Sequence, residues 1–194
     1  ACREAGARMM YISTEYVFDG SGTQPFETDA AIAPLNHYGL TKAMGEEAVR
    51  AGLAEYFILR LSWVFGQGKN FVETMLRLGA QNPQVRVVSD QVGSPTFTKD
   101  VAPLIADMLE TDRYGTYHAT NEGYCSWFEF AGEIMRGAGL DCRVEPILSA
   151  EYPAAARRPM NSRLSKKSLD EAGFSRLPPW QDALARYLAG RVEK

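Results

Sequence analysis

Tyr38 and Lys42 stand four residues apart in the stretch Leu35-Asn36-His37-Tyr38-Gly39-Leu40-Thr41-Lys42. On a helix, residues at i and i+4 share one face, so this spacing sets a phenol beside an ammonium. A neighbouring positive charge favours the phenolate and lowers a tyrosine pKa that is about 10 when unperturbed. A tyrosine tuned in this way can give or take a proton during a reaction. The second hydroxyl of interest is Thr14, which follows the apolar run Met9-Met10-Tyr11-Ile12-Ser13. Open α/β sheets place their ligands at the carboxyl ends of such strands.

The elements that must position these groups follow from the pattern of apolar residues. Residues 9–13 and 56–62 are continuous apolar runs, expected as buried parallel strands. Residues 1–6 are expected to end a helix, with Gly6 as its stop. A helix is expected from Asn36 or Tyr38 to about Arg50, stopped by Gly52. Further helices are expected over residues 71–80, 99–110, 126–138, 165–172 and 180–189. That over 99–110 carries Pro103 in its first turn, and that from Ser126 opens with a capping box to Glu129. Residues 85–88, 115–119 and 142–147 are expected strands. Residues 91–96 and 152–164 are expected loops. Alternating strands and helices followed by smaller mixed elements predict an α/β fold, with residues 1–80 as a partial Rossmann-like segment and 81–194 as mainly a substrate-side lobe, the boundary approximate and the chain free to cross between the two.

Composition narrows the classes of function. The 194 residues are 45% hydrophobic and 23% charged, with a net charge of −3. That is ordinary for a globular protein with a real core. The interspersed charges give no nucleic-acid surface, and no apolar run approaches the ~18 residues a membrane helix needs. The first residues are too polar for a signal peptide. Cys2, Cys125 and Cys142 are widely spaced and odd in number, which suits reduced thiols in a cytoplasm. Two histidines, His37 and His118, are too few for a histidine metal cluster. His37 is expected at the surface and His118 as a structural residue. Met44 and Met75 are expected as core fillers, Glu46 and Glu47 as an exposed helical face, and Phe128 and Phe130 as packing residues.

Four segments carry a resemblance: Ser13-Thr14-Glu15-Tyr16-Val17-Phe18-Asp19-Gly20, the Tyr38-x-x-x-Lys42 pair, Ser62-Trp63-Val64-Phe65-Gly66, and Arg158-Pro159-Met160-Asn161-Ser162-Arg163-Leu164. Together they resemble the extended short-chain dehydrogenase/reductases, in the branch that reduces dTDP-linked 4-dehydro sugars, and nearly the whole chain is covered. The resemblance implies the C-terminal part of a Rossmann-like parallel sheet with an appended smaller α/β substrate-binding lobe. It implies NADPH- or NADH-dependent reduction of dTDP-4-dehydro-L-rhamnose to dTDP-L-rhamnose. Tyr38 would be the proton donor and, with Lys42, would contact the nicotinamide cofactor. Lys42 would lower the Tyr38 pKa and bond the nicotinamide ribose. Thr14 would hydrogen-bond near the reacting oxygen. Glu15, Tyr16, Trp63 and Arg158 would contact the dTDP-sugar. Glu15 stands where the family more usually has aspartate. Trp63 reads otherwise as core packing. Arg157, Arg158 and Arg163 read equally as solvated surface or as guanidinium forks for a diphosphate. A magnesium ion is compatible with the resemblance, but the sequence shows no ligand set for it.

The family's Gly-rich pyrophosphate turn is not found in these residues; Gly66-Gln67-Gly68 reads as a simple turn. The expectation is therefore a chain without the first βαβ units, about 90 residues at ~30 per unit. Such a chain is expected to be inactive alone, with an exposed strand edge, and to form a homodimer or associate with the missing N-terminal half. Two rivals share the fold. One is a non-catalytic binding member, resembling the regulatory subunit of methionine adenosyltransferase. The other is an epimerase or dehydratase, for which Glu15 is the one candidate acid/base.

Overall fold

Tyr56–Leu61 alternates its side chains between two faces, and both faces are covered. In a computed structural model that describes residues 1–152 and 156–192, Phe57, Leu59 and Leu61 enter one apolar cluster, with Tyr117, Leu104 and Leu169. Ile58 and Arg60 point to the opposite face and are also buried. A strand covered on both sides reads as a continuous apolar run, which is how this one is legible.

In chain order the elements are β1 (Met9–Thr14), α1 (His37–Gly52), β2 (Tyr56–Leu61), β3 (Val64–Phe65), α2 (Phe71–Gln81) and β4 (Gln84–Val88). Then come β5 (Val92–Gly93), β6 (Thr96–Phe97), α3 (Thr98–Leu109), β7 (Gly115–His118) and β8 (Cys125–Ser126). The last are α4 (Trp127–Gly137), β9 (Arg143–Ile147), β10 (Asn161–Ser162), α5 (Lys167–Glu171) and α6 (Trp180–Val192). The main sheet is parallel in the order β1-β2-β7. Its register sets Ser13 beside Arg60 and Arg60 beside His118. The expected α/β class with a parallel sheet is what the structure shows.

A second core gathers Phe65, Val72, Met75, Phe130, Ile134 and Leu184, between α2, α4, α6 and the parallel pair β4-β9. The chain crosses between the two cores more than once. Leu104 and Tyr117 lie with the first sheet, Cys125 and Ile134 with the second core, and Leu169 and Phe174 with the first again.

Several expectations change. Residues 1–6 form one hydrogen-bonded turn rather than a helix, closed by Ala5 N–H to the Ala1 carbonyl and Ala7 N–H to the Cys2 carbonyl, both 2.9 Å. Gly6 ends it at φ +61°. Pro103 lies in the interior of α3, because that helix begins at Thr98. The stretches expected as loops contain β5, β6 and β10, where Val92 pairs with Asn161 and Ser126. Two residues are too few to show a period. Met44 is 60% exposed and fills no core, whereas Met75 does. Glu46 is fully buried, against the expected exposed face.

Among the described residues no helix is long and apolar enough to cross a membrane. Nor are three His, Cys, Asp or Glu side chains grouped to hold a metal ion.

Candidate active site

The site is built where β1 ends and α1 begins. Thr14 closes β1 and caps a single 3₁₀ turn over Glu15–Val17, its hydroxyl accepting from the Tyr16 N–H at 3.2 Å. The same hydroxyl donates to Glu15 Oε2 at 2.7 Å. Asn36 caps α1, its Oδ1 accepting the Gly39 N–H at 2.9 Å. Gly39 is the close contact: a Cβ there would lie 2.1 Å from the Tyr16 carbonyl oxygen. Only glycine lets the first turn of α1 come this near the segment after β1. Tyr38 is thereby brought against Tyr16, ring edge to face, with centroids 5.7 Å apart. Its ring remains 52% exposed.

Burial of the phenol and the charge of Glu15 hold the Tyr38 pKa above its ordinary value, and the Thr14 hydroxyl acts in the opposite sense. The expected lowering by Lys42 is not what this arrangement shows. The Lys42 ammonium instead donates to the Ile12 carbonyl on the outer edge of β1 at 3.0 Å. It sits 5.1 Å from the centre of the Tyr11 ring. Glu15 is buried, and burial pushes its carboxyl up to about 7; the hydrogen bonds from Thr14 and its own backbone, and the nearness of the Ser62 hydroxyl, pull the other way. The Ser62 hydroxyl itself has no partner at hydrogen-bond distance.

Beneath this site lies a charge network that the sequence reading did not find. Glu46 follows Lys42 by four residues and Tyr38 by eight, so it shares their helical face. Its Oε1 accepts from Ser13 Oγ at 2.6 Å and from Arg60 Nε at 2.9 Å. Its Oε2 accepts from Arg60 Nη2 at 2.7 Å and from Arg50 Nη2 at 2.8 Å. Arg60 Nη1 donates to the Thr28 carbonyl at 3.0 Å and reaches His118 Nε2 at 3.2 Å. A guanidinium only donates, so His118 Nε2 accepts and its Nδ1–H donates to the Ser165 carbonyl at 3.2 Å. Burial and the Arg60 charge drive the His118 pKa down to about 3, and the ring is neutral. Burial raises the Glu46 carboxyl, but Arg60, Ser13 and Arg50 together outweigh it and hold its pKa below the usual value. One signal for this network was in the sequence: an arginine inside a run otherwise buried on both faces needs an acidic partner.

Trp63 leaves the end of β2, beside the end of β1. It has φ +45°, a left-handed setting that costs a bulky residue about 1–2 kcal/mol. Its ring stacks on Trp127 at 3.7 Å. Arg157 and Arg158 line a cavity of about 880 Å³ together with Arg86, Gln91, Trp127 and Met160. The charge of Arg158 also acts on Tyr16. Arg163 is directed elsewhere, to Asn161 Oδ1 at 3.0 Å and towards the Tyr124 ring.

Residues 1–192 match the family described as RmlD substrate binding domain. The chain is 44% identical over 187 residues to the spore coat polysaccharide biosynthesis protein SpsK of Bacillus subtilis, covering 96% of this chain and 65% of that protein. It is 38% identical over 201 residues to the dTDP-4-dehydrorhamnose reductase of Escherichia coli, covering 97% and 67%. The crystal structure of the Bacillus anthracis dTDP-4-dehydrorhamnose reductase in complex with NADP superposes with a TM-score of 0.95 at 40% identity, covering 97% of this chain and 68% of that one. The chain thus spans about two thirds of the length of these relatives.

Proposed function

The chain belongs to the RmlD substrate binding domain family, and from that premise we propose that it carries the proton-donating and sugar-nucleotide-binding part of a dTDP-4-dehydrorhamnose reductase. The reaction is reduction of the 4-keto group of dTDP-4-dehydro-L-rhamnose to the alcohol of dTDP-L-rhamnose. The observation that supports it best is the close approach at Gly39, which sets Tyr38 against Tyr16 in the turn that Thr14 caps at the end of β1.

A bound NADPH or NADH would supply the hydride that this reduction needs. The donor set of this chain fits such a group: a half-exposed phenol and an ammonium one helical turn apart, at the carboxyl end of a parallel strand. Lys42 would hold the nicotinamide ribose. Tyr38 gives its proton to the carbonyl oxygen as charge develops there, and regains one from solvent. Its raised pKa keeps the phenol loaded at neutral pH. Thr14 steadies the same oxygen by a hydrogen bond. Glu15 and Tyr16 line the sugar, Trp63 packs on the sugar nucleotide, and Arg158 pairs with the diphosphate in the cavity beside Arg157. The outer edge of β1 carries no strand among the described residues, and is where further strands of a nicotinamide-binding sheet would add.

The test is NADPH oxidation by the whole protein with dTDP-4-dehydro-L-rhamnose. Turnover is expected, and Tyr38→Phe should lower kcat by roughly 10²–10⁴-fold with the fold unchanged by circular dichroism. A folded whole protein that binds the sugar nucleotide without turnover would favour a non-catalytic binding role instead. The 194-residue chain alone contains no Gly-rich pyrophosphate turn and should not turn over; robust activity from it would overturn this part of the reading.

A further inference from the structure

Trp63 and Trp127 come from different elements, the exit of β2 and the start of α4, and both pack against the second core, where their rings stack at 3.7 Å and 14°. Each is anchored independently. The Trp63 carbonyl accepts the Thr96 N–H at 3.1 Å. Trp127 is the first residue of α4, whose start is fixed by a reciprocal capping box: Glu129 N–H to Ser126 Oγ at 3.1 Å, and Ser126 N–H to Glu129 Oε2 at 2.6 Å. Phe71 supports Trp127 at 4.5 Å between ring centroids. On the Trp63 side the floor is Gly93, where a Cβ would lie 2.8 Å from the indole Cε2.

A left-handed tryptophan persists only where its surroundings over-determine it. Among the described residues, Trp63 is the only non-glycine residue with positive φ. Trp127 also lines the cavity that holds Arg157 and Arg158. One indole therefore touches both the presumptive diphosphate cavity and the ring that would pack on the sugar nucleotide.

We propose that Trp127, with Gly93 as floor, is a positioning residue that holds Trp63 in its left-handed setting and thereby sets the grip on the sugar nucleotide. This rests on the reading of Trp63 as a substrate contact. Trp127 acts on the substrate through Trp63, and its effect falls on binding rather than on proton donation by Tyr38.

The experiment uses the whole protein and the variants Trp127→Leu, Trp127→Phe and Trp63→Phe. Trp127→Leu should raise KM for dTDP-4-dehydro-L-rhamnose roughly five- to tenfold, with kcat and the KM for NADPH little changed. Trp127→Phe keeps a flat ring and should recover most of the loss. The exciton couplet of the stacked indoles in far-ultraviolet circular dichroism should vanish in all three variants, which checks the stack without any turnover. A merely structural role would lower the melting temperature and leave the split between the two KM values unmoved, overturning the proposal. If Trp63→Phe raises the sugar-nucleotide KM and a folded Trp127→Leu does not, the positioning role fails while the Trp63 contact stands. If neither changes it, the Trp63 reading fails and takes the proposal with it. Should Trp127→Leu not fold, Gly93→Ala displaces the same ring from its other side and decides in the same way.

Discussion

Two buried glutamates, Glu46 on α1 and Glu15 at the end of β1, sit in environments that drive them in opposite directions. Glu46, on the buried face of α1, meets two guanidinium groups and a serine hydroxyl. Its charge is held and its pKa depressed. Glu15, at the end of β1, meets hydroxyls and no cation within hydrogen-bond distance among the described contacts. Burial prevails there, and its pKa climbs to about 7. Burial alone therefore does not set the state of a carboxyl; the partners do. The fully paired glutamate fixes the helix that presents Tyr38 and Lys42. The underpaired one sits close enough to Tyr38 for its charge to act on the phenol.

The largest effect should come from breaking the paired region. Arg60→Ala leaves Glu46 buried without its bidentate partner, and should destabilise the whole protein by roughly 3–5 kcal/mol in urea unfolding. A loss under about 1 kcal/mol would class the pair with surface salt bridges and erase the contrast.

The next effect tests the underpaired side. A carboxyl whose folded pKa is raised favours the folded state while protonated. Its contribution is therefore fully present below the unfolded value of 4.5 and is lost as pH rises through about 7. That loss is on the order of 3 kcal/mol, and Glu15→Gln should remove it, flattening stability between pH 5 and pH 8 on the approximate scale set by the same linkage. Glu46 has the opposite sign: its depressed pKa gives stability above 4.5 that is lost as pH falls through its folded value. Unchanged pH dependence in Glu15→Gln would mean that Glu15 is not the raised group.

The smallest effect sharpens the contrast along one helix. Met44 lies two residues before Glu46 but is 60% exposed. Met44→Gln should change stability by no more than about 0.5 kcal/mol, measured in the same unfolding assay.

These differences also mark how far the sequence could be read. The runs at β1 and β2 were legible because strands buried on both faces are apolar throughout. The start of α1 was legible from Asn36 and its end from Gly52, and the Tyr38-x-x-x-Lys42 spacing is local to that helix. The capping box at Ser126 and Glu129 was likewise local. What escaped was long-range. A glutamate on an amphipathic helix looks like a solvated one until Arg60 is placed beneath it. The left-handed Trp63 has no mark of its own, since its setting is imposed by Trp127 and Gly93. The strands β5 and β10 are two residues each and show no period. The direction of the Tyr38 shift also depended on distance: Lys42 lies on the expected face, but its ammonium turns to the Ile12 carbonyl.

The Arg60 network has a consequence for the order in which the molecule is made. Its contacts join segments 14, 32 and 58 residues apart in the chain, and His118 is tied in turn to Ser165, 47 residues further on. Contacts between distant segments form late, because the loops between them must close first. During synthesis from the N-terminus, α1 can coil as soon as it emerges and Glu46 can meet Ser13 and Arg60 once β2 is made, but Arg60 is held on its far side only after β7 and then the segment before α5 have arrived. The support under the helix that carries Tyr38 is therefore completed late, and a nascent chain shorter than about Ser165 lacks the last tie of the Arg60 network.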